Sequence, residues 1–192
     1  MPESSLFQTL LEHAPLSDEE QQWLQAAIKP AKFEKGEWLL RSGNPCRHLI
    51  FISEGLARHF FYTYQGEEKT TWFSQAGDLV TDFAAFTTGG DAVFNVEALE
   101  PTAGFCLSRE ALYRFFDRSK AWERLGRLMN QHYLIQLIER SNDMALKSAR
   151  QRYAAFQASH AHLFNRVPLK HIASYLGITL ETLSRLRSGN YQ

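Results

Sequence analysis

Five side chains near the C-terminus, Glu181, Thr182, Ser184, Arg185 and Arg187, fall at spacings that place them on one outward face of a short helix. Together they offer a carboxylate, two hydroxyls and two guanidiniums, the mixture that contacts base edges and phosphates in duplex DNA. The helix that must present them starts at Leu180, with Thr179 placed to cap it. Ahead of it, Ile172, Ala173 and Leu176 mark a first helix, and Gly177 follows, where a positive φ costs a glycine little. Ile178 fills the turn, Leu183 and Leu186 face back toward Ile172 and Leu176, and the small Ala173 lets the helices cross closely. Residues 169–188 therefore predict a helix-turn-helix whose second helix enters the major groove. Glycine-linked helix pairs also occur in bundles that never touch DNA, so charge must decide.

The 192-residue chain is neutral, with 21 Lys and Arg against 21 Asp and Glu. Its neutrality hides a division. From Ser141 to Gln192 seven basic residues face two acidic ones, a net +5, which leaves −5 on the first 140 residues. A basic C-terminal segment is the footprint of a nucleic-acid reader. At 44% hydrophobic and 13% aromatic the composition supports a packed core and excludes a disordered chain. No apolar run is long enough to cross a membrane and the N-terminus lacks an export pattern, so a cytoplasmic protein without membrane partners is expected. Cys46 and Cys106 form no CxxC pair, are expected as buried thiols, and are too few for a four-cysteine iron–sulfur site. No cofactor and no metal are expected.

Those reading helices need a scaffold. Leu6, Leu10 and Leu11 fit a short helix, and Ser17-Asp18-Glu19-Glu20 caps a second through Trp23, Leu24 and Ile28, ended by Pro30. From Ala31 to about Leu107 short β-type runs alternate with turn residues: 37–40, 48–53, 57–64, 68–74, 78–80, 93–98 and 104–107. That texture predicts a sandwich or jelly roll. Ser108 opens a helix with Leu112, Phe115 and Phe116, and a long helix spans about Ala121 to Ala145. Its apolar residues occupy two sides, Leu125, Leu128, Met129 and Tyr133 on one and Leu134, Ile135, Leu137 and Ile138 on nearly the opposite one. One side is expected to pack on the β part and another on the same helix of a second copy; burial inside a monomer is the alternative. Leu125, Leu128, Met129, His132 and Ile135 are the candidate dimer-helix residues. Residues 147–160 form another amphipathic helix, Tyr153 and Phe156 inward, Arg150 and Arg152 outward. The expected architecture is α+β: a β-roll effector domain over 1–120, a dimerisation helix over 121–145 and a helix-turn-helix domain over 146–192.

In this order the elements resemble the cyclic-AMP receptor protein / fumarate-nitrate regulator family of bacterial transcription factors. The β part carries the family's typical wording in Phe33-Glu34-Lys35-Gly36-Glu37, Ser42-Gly43-Asn44-Pro45 and Ile52-Ser53-Glu54-Gly55-Leu56-Ala57-Arg58, and Gly77-Asp78-Leu79-Val80-Thr81-Asp82-Phe83 occupies the phosphate-binding cassette. The resemblance implies a cyclic-nucleotide-binding-like jelly roll and a homodimer on a palindromic operator, one reading helix per half-site. Two departures matter. The cassette's glycine and glutamate read Thr81 and Asp82, its arginine-serine pair reads Ala92-Val93, and no Arg or Lys stands between Thr70 and Arg109. A buried phosphate needs a cationic partner, so cyclic AMP is not expected to bind. A pocket around Gly77, Asp78, Thr81 and Asp82, walled by Phe83, Phe86 and Phe94, either takes an apolar or uncharged effector or is filled by those rings.

In the reading helix the family's R-E-x-x-x-R becomes Leu180-Glu181-Thr182-Leu183-Ser184-Arg185. Glu181 retains an acceptor for the cytosine amino group and Arg185 the fork for guanine, while Leu180 replaces the first arginine and predicts a different operator. Thr182 and Ser184 face bases or phosphates; Lys170, Arg187 and Ser188 suit phosphates, and Thr179 and Leu180 complete the DNA-facing set. The chain ends soon after this helix, where family members often continue into a β-hairpin wing, so a naturally short or a shortened form is expected. An enzyme of cupin type is the rival from another class, but His13, His48 and His59 have no H-x-H spacing and His160-Ala161-His162 falls at a helix end. Hence no catalytic residues are assigned. A protein-interaction module of the same fold that has lost DNA binding is the second rival.

Overall fold

The computed structural model describes residues 14–189. The helix expected around Leu6, Leu10 and Leu11 lies outside the described residues, as does His13. Helix α1 (Asp18–Ala27) opens on the expected capping box: Ser17 donates its N–H to Glu20 Oε2 at 2.7 Å and accepts the Glu20 N–H on Oγ at 3.3 Å. Pro30 does more than end this helix. It lies within strand β1 (Lys29–Phe33), at the edge of the first sheet, where one side of the strand has no ladder to interrupt.

Strands β2 (Trp38–Leu40), β3 (His48–Glu54), β4 (Leu56–Tyr62), β5 (Glu68–Gln75), β6 (Leu79–Val80), β7 (Asn95–Ala98) and β8 (Thr102–Ser108) follow, close to the expected runs. The run expected from Val93 starts instead at Asn95, and helix α2 (Phe83–Thr88) intervenes where no helix was anticipated. The strands form two four-stranded sheets, in the orders β1-β8-β3-β6 and β2-β7-β4-β5. Ile50, Ile52 and Val80 of the first pack on Leu39, Ala57, Val96 and Ala98 of the second, which makes the sandwich core. The first sheet is apolar on both sides, since Leu107 joins Ala14, Leu16, Ala111, Phe115, Trp122 and Leu125 in a second core beneath the helices. An uninterrupted apolar run such as Leu49-Ile50-Phe51-Ile52 is what a strand covered on both faces requires.

Helices α3 (Arg109–Arg118), α4 (Lys120–Leu146) and α5 (Ala149–His160), a 3-10 turn (Ala161–Asn165), α6 (Leu169–Leu176) and α7 (Leu180–Arg187) complete the chain. Contacts divide it into two compact units, residues up to His59 with 73–132, and 60–72 with the residues from Tyr133 onward. The division falls inside α4. Trp122 and Leu125 are buried in the first unit, with Leu128 and Met129 half-buried against the same core. Leu125, fully enclosed by its own chain, is therefore an anchor rather than a surface for a second copy. Beyond it Leu134, Ile135, Leu137 and Ile138 stand 50–64% exposed, because the apolar stripe rotates around the helix as it advances.

The ladder between β3 and β8 has no room at Gly104, which pairs with Ile52; a Cβ there would overlap the Phe51 carbonyl oxygen. Gly104→Ala is expected to lower stability by roughly 1–3 kcal/mol, read from the urea unfolding midpoint. Gly90→Ala, whose Cβ would meet only Thr88 Oγ1 at 3.4 Å, should move the midpoint little.

Candidate nucleic-acid interface

The turn between α6 and α7 forms as its residues dictate. Gly177 takes φ 65°, and its N–H and that of Ile178 donate to the carbonyls of Ser174 and Ala173, each at 3.0 Å. Thr179 Oγ1 accepts the Thr182 N–H at 3.1 Å and so caps α7. Ile172, Ala173, Leu176, Leu183 and Leu186 are buried, together with Phe156, Leu163 and Val167. Opposite that core, Glu181 and Arg185 have side chains 74% and 62% exposed and pair at 2.5 Å. Such an exposed i,i+4 pair contributes only about 0.3–0.5 kcal/mol, so base contacts can replace it at little cost. Lys170, Thr179, Leu180, Ser184, Arg187 and Ser188 are exposed. Thr182 is half-buried with its hydroxyl 2.9 Å from that of Thr179. The Ser188 hydroxyl donates to the Arg185 carbonyl at 3.1 Å, and the Arg187 guanidinium lies 5.6 Å from the Phe164 ring centre.

Three residues that periodicity did not single out for this role hold α6, the first helix of the pair. Arg140 of α4 donates to the Tyr175 carbonyl and stacks 3.8 Å from the Tyr175 ring centre. Arg152, expected to face outward, turns in and donates Nε to the Leu176 carbonyl at 2.8 Å and Nη1 to the Lys147 carbonyl at 2.5 Å. The reason is the set of carbonyls left without partners at a helix C-terminus, which draw cationic donors; a helical pattern locates a Cβ, not the end of a long side chain. Ser174 accepts the Thr70 N–H on Oγ at 3.0 Å and donates to the Glu68 carbonyl at 3.3 Å, tying the β5 end of the second unit to α6.

The cassette is committed to its own backbone. Gly77 takes φ 97°, and Asp78 Oδ2 accepts the Gln75 N–H at 2.8 Å. Burial raises the Asp78 carboxyl above its ordinary value, opposed by that hydrogen bond and by the charge of His132 on α4. Thr81 donates to the His48 carbonyl at 3.2 Å. Asp82, 3% exposed, caps α2 by accepting the Ala85 N–H on Oδ1 at 3.1 Å and spans to the Val93 N–H with Oδ2 at 2.9 Å. Ala92 is buried and Val93 exposed. Nor do the three expected wall residues meet. Phe94 packs in the sandwich, 5.6 Å from the His59 ring, and His59 itself bonds Ser74 Oγ at 2.8 Å. Phe83 and Phe86 instead line a cavity on the other side of the first sheet, and Gly77, Asp78, Thr81 and Asp82 do not line it. Among the described residues no three His, Cys, Asp or Glu are grouped to hold a metal, and no helix is long and apolar enough to cross a membrane.

Residues 30–119 match the model of the cyclic nucleotide-binding domain family. The chain is 31% identical to the fumarate and nitrate reduction regulatory protein of Vibrio cholerae, across 89% of this chain and 72% of that protein. It is 30% identical to electron transport regulator A of Shewanella oneidensis, across 80% and 65%. Among solved structures it is similar to FixK2 from Bradyrhizobium japonicum, with a TM-score of 0.75, 20% identity and 84% and 83% coverage. The Thermus thermophilus catabolite activator protein gives a TM-score of 0.59, 19% identity and 94% and 85% coverage. At such identities the structures establish the shared fold alone.

Burial drives the His59 imidazole down to a pKa of about 4, so it is neutral in the folded chain above that pH. The unfolded chain takes up this proton near pH 6.5, and between the two values it binds more protons than the native one. Stability is therefore expected to fall on acidification from about pH 6.5 toward 4, by on the order of 3 kcal/mol from this residue. Urea titrations at stepped pH check it; His59→Gln should flatten the slope, and an unchanged slope would refute the assignment.

Proposed function

This chain belongs to the Crp/Fnr family of transcriptional regulators, and we propose that it acts as a homodimer that reads a palindromic operator in the cytoplasm. The observation that carries the reading is the exposed Glu181–Arg185 pair on the outer face of a helix whose other face is buried. Arg185 is free to place its fork on guanine and Glu181 to accept from cytosine on the same strand or its complement. Lys170, Arg187 and Ser188 are exposed near this face and contact phosphates. Residues 146–192 form the reader, 1–120 the effector part, and 121–145 the helix between them. A dimer is supported by Leu134, Ile135, Leu137 and Ile138, which present an apolar strip to solvent in the single chain. Pairing two such strips would duplicate the reading helix about a two-fold axis, as a palindrome requires.

Cyclic AMP is not the effector in this reading. Asp82 sits where the cassette would receive a phosphate and already fills the Ala85 and Val93 donors with its own carboxylate. A phosphate would meet that buried anion, and the stretch 71–108 that carries the cassette has no Arg or Lys to offset it.

Selection of bound duplexes from a random pool should return two-fold symmetric sites, with affinity falling steeply as salt rises. Arg185→Ala is expected to cost about 1–3 kcal/mol at one base position per half-site and to relax preference there. Equal loss across all duplexes would argue against base reading by Arg185, and indifference to DNA at low salt would favour a protein-interaction module. Calorimetric titration with cyclic AMP should give no heat of binding; micromolar affinity would refute the cassette reading.

A further inference from the structure

Between the first sheet and helices α1, α3 and α4, all within the first unit, lies a cavity of about 280 Å³. Phe51, Phe83, Phe86, Phe105, Trp122 and Met129 form much of its wall. Its polar lining is confined to neutral groups, on Gln25, Thr87, Tyr113 and Asn130, and none of its lining residues is ionisable as an acid or a base near neutral pH. A charged ligand would lose its hydration there with no counter-charge. An apolar one would exchange water for aromatic surface. One wall residue adds a directional preference. Trp122 is 2% exposed, and its Nε1–H is buried without a hydrogen-bond partner among the described residues. Buried donors are as a rule partnered, and an exception calls for a cause.

We propose that this cavity binds an uncharged, largely apolar molecule of about two-ring size, whose single hydrogen-bond acceptor takes the Trp122 Nε1–H. The site lies across the first sheet from the sandwich interior and shares only Leu79 and Phe83 with the cassette. Its wall includes Trp122, Leu125 and Met129 of α4, so its occupant bears on the helix that leads to the reader. That regulatory consequence rests on the proposed function. Binding itself is measured without DNA, and failure of operator binding would leave it standing.

The test uses the full chain and a neutral fluorescent reporter, N-phenyl-1-naphthylamine, displaced by benzophenone or by diphenylmethane. The two competitors are alike in shape and differ in the carbonyl. Both should displace the reporter, benzophenone with three- to tenfold higher affinity, the increment of one net hydrogen bond. Trp122→Phe should remove that preference, and Leu112→Trp, which fills the cavity, should weaken both competitors at least tenfold. In the native chain labelled with nitrogen-15 tryptophan, one of four indole N–H resonances should move downfield with benzophenone and not with diphenylmethane. Failure of the reporter and both competitors to bind, or displacement unaltered by Leu112→Trp, would overturn the site. Equal affinities, a preference that survives Trp122→Phe, or no indole shift would overturn the donor.

Discussion

The guanidiniums of Arg140 and Arg152 close the end of Leu169–Leu176, and the orientation of the reading helix depends on that closure. Two helices of eight residues cannot hold themselves in water, because so few intrahelical bonds do not offset the cost of nucleation. Their buried faces supply most of the stability, from Ile172, Leu176, Leu183 and Leu186. Burying the junction, however, withdraws the carbonyls of Tyr175 and Leu176 from water. Left alone they would cost about 1–3 kcal/mol each, a large part of what the apolar contacts nearby return. Cations from α4 and α5 satisfy them and suit the negative end of the helix dipole as well. The basic residues of this segment thus divide into two kinds, those spent on the helix end and those left for a nucleic acid.

A similar division organises the sandwich. A sheet with apolar side chains on both faces must be covered twice, and β3 alternates between the sandwich core and the core beneath the helices. The two β3 faces need different partners, strands of the second sheet on one side and the helices α1, α3 and α4 on the other. Close approach makes this possible, and Gly104 permits it where β3 and β8 meet. Long aromatic side chains from two directions do not fill the helical side as evenly as Ile, Val and Ala fill the other. Trp122 and Phe116 reach across it, and space remains between them.

What local pattern controls was legible. The Ser17 box, the Ser108 cap, the glycine at 177 and the cap at Thr179 are each decided within about four residues, and all formed where their spacing put them. Strand existence was legible from β-type runs between turns. Less legible was whatever depends on a distant partner. Pro30 reads as a helix stop because nothing near it shows that Lys29–Phe33 pairs with β8. Helix α2 is six residues long and exists because Asp82 caps it while reaching across to Val93. The Cβ of Arg152 points outward by its helical position, but its long side chain reaches back to the Leu176 and Lys147 carbonyls. The expected pocket failed for the same reason: Phe94 and Phe86 lie close in sequence on opposite sides of a sheet whose path only the fold reveals.

The two sides of that sheet also separate two ways of sensing. A ligand lodged among Phe94, His59 and Asp82 inside the sandwich would compete with interactions the fold already uses. On the helical side the space is unfilled and its wall is largely apolar. The Asp82 carboxylate itself occupies the Ala85 and Val93 N–H groups. Once a carboxylate takes over the donors of the cassette, an arginine nearby would be drawn to that carboxylate instead of to a ligand. Asp82 fixes the turn as structure, and the cavity on the helical side of the sheet has α4 as part of its wall.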